Sequence, residues 1–140
     1  MPYEFFPHTG DIGIRVWGGS LEELMRSAAL AFTEAVVDPA SVRPADAGVI
    51  ACRAAAPDLL LHDFLGELLF ECDARGRLVR EVEVDVRREG ESWELDATTR
   101  GESFDPARHQ LRVLVKGVTY HALSVVETPE GWRGAVVLDV

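Results

Sequence analysis

The sequence predicts an α+β domain, with two amphipathic helices packed on sheet among six to eight mostly antiparallel strands. Three observations predict it. Apolar residues recur at helical spacing in two stretches, Leu21 to Ala35 and Leu61 to Cys72. Strict alternation marks other stretches, most clearly Leu78 to Val86 and Ser92 to Thr99. The chain of 140 residues, 47% of them apolar, has the size of one ordinary domain, and no Pro-, Gly- or Ser-rich linker longer than a turn divides it. Residues 1–140 therefore read as a single domain with enough core to need no disulfide staples.

Each element follows from local chemistry. Tyr3 to Phe6 and Ile12 to Trp17 read as short strands, separated by the polar stretch Pro7-His8-Thr9-Gly10-Asp11. Ser20 followed by Glu23 forms a capping box, and Leu21, Leu24, Met25, Ala28, Phe32 and Ala35 continue a helix up to the stop at Asp38-Pro39. Val49 to Ala55 reads as a strand. Pro57-Asp58 then opens a second helix, with apolar positions at Leu61, Phe64, Leu65, Leu68, Leu69 and Cys72, which Asp73-Ala74-Arg75-Gly76 closes. Leu78 to Val86 and Ser92 to Thr99 form a hairpin turning at Arg88-Glu89-Gly90-Glu91. After a break at Phe104-Asp105-Pro106, further strands are expected at Leu111 to Val115, Val118 to Tyr120, His121 to Glu127 and Gly134 to Val140.

Composition excludes several function classes. The formal net charge of -10 disfavours strong direct binding of RNA or DNA, because phosphate neutralisation supplies most non-specific affinity. A cation site or a basic protein partner suits it better, although an acidic surplus also serves solubility alone. No run of about 18 apolar residues predicts a membrane span, and MPYEFFPHTG lacks the layout of a secretory signal, so the expected compartment is the cytoplasm. Cys52 and Cys72 are too few for a disulfide framework and read as buried thiols. Thirteen of the fourteen basic residues are arginine; Lys116 alone offers a compact, rotatable ammonium, by demand of the site or by chance.

The residues able to carry chemistry are few. Trp17-Gly18-Gly19-Ser20 lacks the glycine spacing and the lysine of a phosphate loop, and no serine or cysteine sits in a nucleophile motif. The histidines are dispersed: His62 reads as solvated on the polar face of the second helix, and His121 as satisfied by strand neighbours. The acidic residues Asp11, Asp105 and Asp139 adjoin segments that strands would hold rigidly. Each is either an ordinary exposed carboxylate or a hard oxygen ligand for calcium or magnesium. An aspartate in Val136-Val137-Leu138-Asp139-Val140 must meet a cation, a donor or water, because burial without a partner costs several kcal/mol.

These segments resemble the archease family over nearly the whole chain and in the right order. His8-Thr9-Gly10-Asp11-Ile12-Gly13-Ile14 is similar to its N-terminal His-Thr-Ala-Asp-Ile-Gly motif, with Gly10 in place of alanine. Gly19 to Leu24 opens the family's first helix, and Asp105-Pro106-Ala107-Arg108-His109 resembles its Asp-x-x-Arg-His signature. Val115-Lys116-Gly117-Val118-Thr119-Tyr120-His121 is similar to Val-Lys-Ala-Val-Thr-Tyr-His, again with glycine for alanine, and Val137-Leu138-Asp139-Val140 resembles the family's terminal segment.

The resemblance implies an accessory protein, not itself an enzyme, that promotes guanylylation and multiple turnover of an RtcB-type RNA ligase in tRNA splicing or RNA repair. It implies a divalent cation, calcium first with magnesium or manganese as substitutes, held by Asp11, Asp139 and Val140. Lys116, Asp11 and Asp139 are then the residues of ligase activation, and His8, Asp105, His109 and His121 are secondary candidates. The glycines at 10 and 117 are expected to loosen the loops beside Asp11 and Lys116 without removing a ligand. Two other classes stay open: a chaperone-like protein-binding module without ligase specificity, and a metal-dependent hydrolase working alone.

Overall fold

The computed structural model describes residues 2–140. Its first helix, α1 (Leu21–Val36), begins where the sequence places it: Ser20 Oγ accepts the Glu23 amide at 3.1 Å. Glu23 reaches one residue further back than in a standard capping box and accepts the Gly19 amide at 2.8 Å. Helix α2 (Pro57–Arg75) has no side-chain cap at Ala56. It starts on proline at its first turn and ends on Gly76, whose φ of 59° is the left-handed conformation glycine adopts freely.

The strands are β1 (Tyr3–His8), β2 (Asp11–Gly18), β3 (Asp46–Ala54), β4 (Arg77–Glu89), β5 (Ser92–Ser103), β6 (Gly117–Val118), β7 (Ser124–Thr128) and β8 (Gly131–Asp139). They form two antiparallel sheets. In the larger, β1 pairs with β2 and β2 with β8, while β6 and β7 share the other edge of β8. In the smaller, β5 lies between β3 and β4. Each helix touches both sheets: α1 packs on β2 and β4, and α2 on β3, β6 and β7. Phe32, Phe64, Leu24, Leu65, Ile14, Leu95 and Leu138, each no more than 2% exposed, fill the core between them. The α+β class stands, but the helices cover two sheets rather than one. Alternation identifies a strand and its buried face without naming its ladder partner.

Two further differences concern the chain after β5. Leu111 to Val115 is not a strand. Val115 is buried, but the backbone is tied at separate points, Arg112 N–H to Val36 O at 2.7 Å and Lys116 N–H to Asp139 O at 2.7 Å. The free edge of β8 is already taken by β6 and β7, so no ladder remains for this segment. The strand expected from His121 begins only at Ser124, because His121 and Ala122 form a turn in which Ala122 has a φ of 52°. Among the described residues, no helix is long and apolar enough to cross a membrane.

Candidate functional site

One end of the larger sheet gathers residues that are far apart in sequence. β1 and β2 form a hairpin in which His8 lies opposite Asp11, closed by Thr9 and Gly10, the latter at a φ of 80°. Gly10 therefore supplies a conformation that alanine adopts only with strain. Ile12 pairs with Leu138 across β2 and β8, so Asp11 and Asp139 occupy the next position along the two strands. Opposed residues of an antiparallel pair lie about 4.5–5.5 Å apart at Cα. Gly117 of β6 pairs with Asp139 on its other side.

Alternation then sets the faces. Leu138 points into the core and is fully buried, so Asp139 points outward, and it is exposed. Asp11 shares that outer face, as does His8, whose Nδ1 lies 3.7 Å from Asp11 Oδ2. That nitrogen is buried and has no hydrogen-bond partner among the described residues. The His121 ring lies 5.9 Å from the His8 ring, centroid to centroid. One row further along, the Phe6 ring lies across Gly13, where an added Cβ would sit 2.3 Å from a ring carbon, and the Arg15 guanidinium covers Phe6 at 4.3 Å. His8, Asp11, Asp139 and His121 thus stand beside an aromatic plug on the solvent side of the sheet.

Lys116 enters by its backbone, through the hydrogen bond to Asp139 O. Its side chain is exposed, and its ammonium has no ion pair among the described residues. Val140 follows Asp139 directly and is half-buried against the core. Among the described residues, no three His, Cys, Asp or Glu side chains converge closely enough to hold a metal ion by themselves. A cation here would draw on Asp11, Asp139 and main-chain oxygen.

Asp105 and His109 form a different cluster. The Asp105 carboxylate accepts the Ala107 amide at 2.9 Å, and its own amide donates to His109 Nδ1 at 2.9 Å. His109 is 3% exposed, and its Nε2 lies 3.0 Å from Glu102 Oε2. With Nδ1 accepting, the proton belongs on Nε2, which donates to Glu102. Both ring nitrogens are occupied, so this signature builds a turn after β5. Glu102 also accepts from the Arg108 side chain and from the Arg43 amide at 2.7 Å. These donors, Arg108 foremost, hold its carboxyl down at about 2, against an ordinary value of 4.5.

The sign of the pH effect follows. With a depressed folded-state value, the unfolded chain binds the proton first, so the contribution of Glu102 is complete above about pH 4.5 and lost as pH falls towards 2. Glu102→Gln is expected to be less stable than wild type at neutral pH and to lose less on acidification through that window. Urea midpoints measured from pH 5 to pH 2 check this, and parallel curves for the two proteins would refute it.

His62 is not the solvated histidine that its sequence position suggests. Its side chain is 15% exposed rather than solvated; Nε2 lies 2.9 Å from Val118 O, and the ring stacks on Tyr120 at 4.0 Å. Position 62 borders the apolar stripe of α2, but its contacts are 56 and 58 positions away, so only the fold reveals them. Cys52 and Cys72 are half-buried free thiols, and burial, with nearby carboxylates adding to it, raises them to about 12 and about 11. Burial thus works against the thiolate that a nucleophilic cysteine needs at both positions.

The model of the Archease protein family (MTH1598/TM1083) matches residues 3–140. Protein archease of Methanopyrus kandleri is 34% identical over 140 residues, covering 100% of both chains. Protein archease of Pyrococcus abyssi is 33% identical over 139 residues, covering 99% of this chain and 98% of its own. The solution structure of Methanobacterium thermoautotrophicum protein 1598 superposes with a TM-score of 0.87 at 30% identity, covering 99% of each chain. With a family model and full-length relatives matched from end to end, the chain belongs to the archease family.

Proposed function

We propose that this protein is an accessory factor of an RtcB-type RNA ligase, which promotes the ligase's guanylylation and repeated turnover without catalysing ligation itself. The observation that carries this reading is the meeting of Asp11, the Lys116 backbone and Asp139 at one end of one sheet, although 128 positions separate the two aspartates. Those are the residues that the family resemblance implies for ligase activation.

The chemistry of the donors supports a divalent cation. Asp11, Asp139 and a main-chain oxygen of Val140 are hard oxygen ligands of the kind calcium takes, and magnesium or manganese accept the same class. The unpartnered His8 Nδ1 borders the same row. Such a cation, when bound, would supply a local positive charge able to polarise or neutralise phosphate oxygens. Asp11, Asp139 and Val140 would hold it at an exposed sheet end. Lys116 adds a point charge for a phosphate or a partner carboxylate. A net charge of -10 favours encounter with a basic, RNA-binding enzyme over capture of RNA itself.

The decisive experiment is multiple-turnover ligation by the cognate ligase with and without this protein. Stimulation is expected; a turnover number that does not change would leave only a general binding module. Within that assay, Lys116→Ala is expected to alter stability by no more than about 0.5 kcal/mol, as exposed substitutions usually do, and to lower stimulation. Lys116→Arg should restore part of it, because a planar guanidinium keeps the charge but not the compact ammonium. Full stimulation by Lys116→Ala across ligase concentrations would remove this lysine from the mechanism.

A further inference from the structure

The segment from Lys116 to His121 carries two of the site's side chains on very little secondary structure. β6 is two residues long, and beyond it Thr119 makes the remaining bonds to β8, with its amide at 2.9 Å and its hydroxyl at 3.0 Å from Val137 O. The segment then leaves the sheet through His121, whose amide donates to Thr119 Oγ1 at 3.2 Å, and through Ala122 at a φ of 52°. A non-glycine residue in that conformation persists only when its surroundings hold it.

The other side of the segment is held by α2 through His62. Nε2–H donates to Val118 O at 2.9 Å, and the ring lies parallel to that of Tyr120 within 12°, at 4.0 Å. The Asp63 carboxylate stands 3.2 Å from His62 Nδ1. Tyr120 is 66% exposed, so the imidazole face is a principal cover for its ring. Val118 O belongs to the residue paired with Leu138, next to Asp139. The imidazole is thereby linked to the aspartate end of the sheet by one carbonyl and one ladder pair.

We infer that His62 is a positioning residue of the functional site, fixing the course of Lys116 to His121 beside Asp11 and Asp139. Its hydrogen-bonding and ring contacts among the described residues go to Asp63, Val118 O and Tyr120, and it acts by holding the strand and turn that carry Lys116 and His121. The inference rests on the reading that Lys116 and the two aspartates act on a ligase, and the test separates the two.

His62→Ala, His62→Gln and Lys116→Ala are compared with wild type in thermal midpoint, in amide hydrogen exchange and in multiple-turnover ligation at saturating accessory protein. His62→Ala is expected to remain folded and to speed exchange of the Thr119 and His121 amides by about five- to tenfold, the scale of one lost hydrogen bond, leaving β3–β5 unchanged. Ligation stimulation should fall by a similar factor. His62→Gln can still donate an amide proton to Val118 O, so it should recover part of both, an outcome that a general loss of packing would not give. Impaired Lys116→Ala with fully active His62→Ala, or exchange at Thr119 and His121 equal to wild type in His62→Ala, overturns the inference. If wild type itself leaves turnover unchanged, the ligase reading fails instead, and if Lys116→Ala stimulates fully, only the lysine drops out; in both cases the exchange data alone decide whether His62 holds the segment.

Discussion

Gly101→Ala is expected to destabilise the protein by about 3 kcal/mol or more, at the upper end of the cost of overpacking. A Cβ at this position would sit 1.8 Å from Leu78 O, 2.9 Å from Leu78 C and 3.0 Å from Val79 Cα. All three are backbone atoms of β4, so no side chain can swing aside to relieve the clash. The site cannot simply slip, because Gly101 pairs with Asp46 on one side and Val79 on the other, next to the register shift between Val79 and Glu81. Gly66→Ala, in the middle of α2, is the control. Its Cβ meets nothing within 4 Å, and alanine in a helix gains stability over glycine by about 0.4–1 kcal/mol. One added methyl should therefore lower the thermal midpoint by roughly 10 °C at Gly101 and raise it slightly at Gly66. Equal midpoints for the two variants would show that β4 yields at Leu78.

Gly101 also illustrates what could be read from the chain and what could not. Its environment is set by β4, more than twenty positions away, and nothing in its own neighbourhood announces the close approach. The elements that were legible are those fixed by local chemistry: the Ser20–Glu23 cap, Pro57 at the start of α2, Gly76 at its end, and the alternation through β4 and β5. The misread segment, Leu111 to Val115, alternates well enough. Its pattern is satisfied by burying Val115 while Leu114 stays 70% exposed, and alternation alone cannot distinguish a docked loop from a ladder.

The candidate site divides in the same way. Asp11 and Asp139 are separate acidic residues to any spacing rule, and they become neighbours only through the pairing of β2 with β8. The family motifs singled them out, and the sheet register supplies the physical reason. His109 looked like a candidate for the opposite cause: its signature is a conspicuous sequence motif, but its ring is consumed by the Asp105 amide and the Glu102 carboxylate. His62 lay outside every motif. A histidine beside an apolar stripe carries no mark of whether its edge meets water or a carbonyl of another element.

Asp139→Asn is expected to lower divalent-cation affinity by at least the roughly 10–100-fold that loss of a mere outer-shell partner costs, while the fold survives. Affinity for a hard cation follows the charge count of its oxygen ligands, and asparagine keeps the shape and one oxygen but removes the charge. Survival of the fold is expected because Asp139 is exposed, and its backbone bonds, which receive the Lys116 amide and pair with Gly117, do not depend on the side chain. Asp11→Asn should behave alike, since its carboxylate makes no hydrogen bond among the described residues and His8 Nδ1 stands 3.7 Å from it. The double variant should be little worse in ligase stimulation than either single one, because two ligands of one ion act as a unit. Calorimetric titration with calcium, followed by ligation assays on the same samples, measures both effects. Calcium binding that is equally tight in wild type and in both variants would place any cation elsewhere. If the variants lose calcium but stimulate the ligase fully, the cation is a structural guest, and the burden of activation shifts to Lys116.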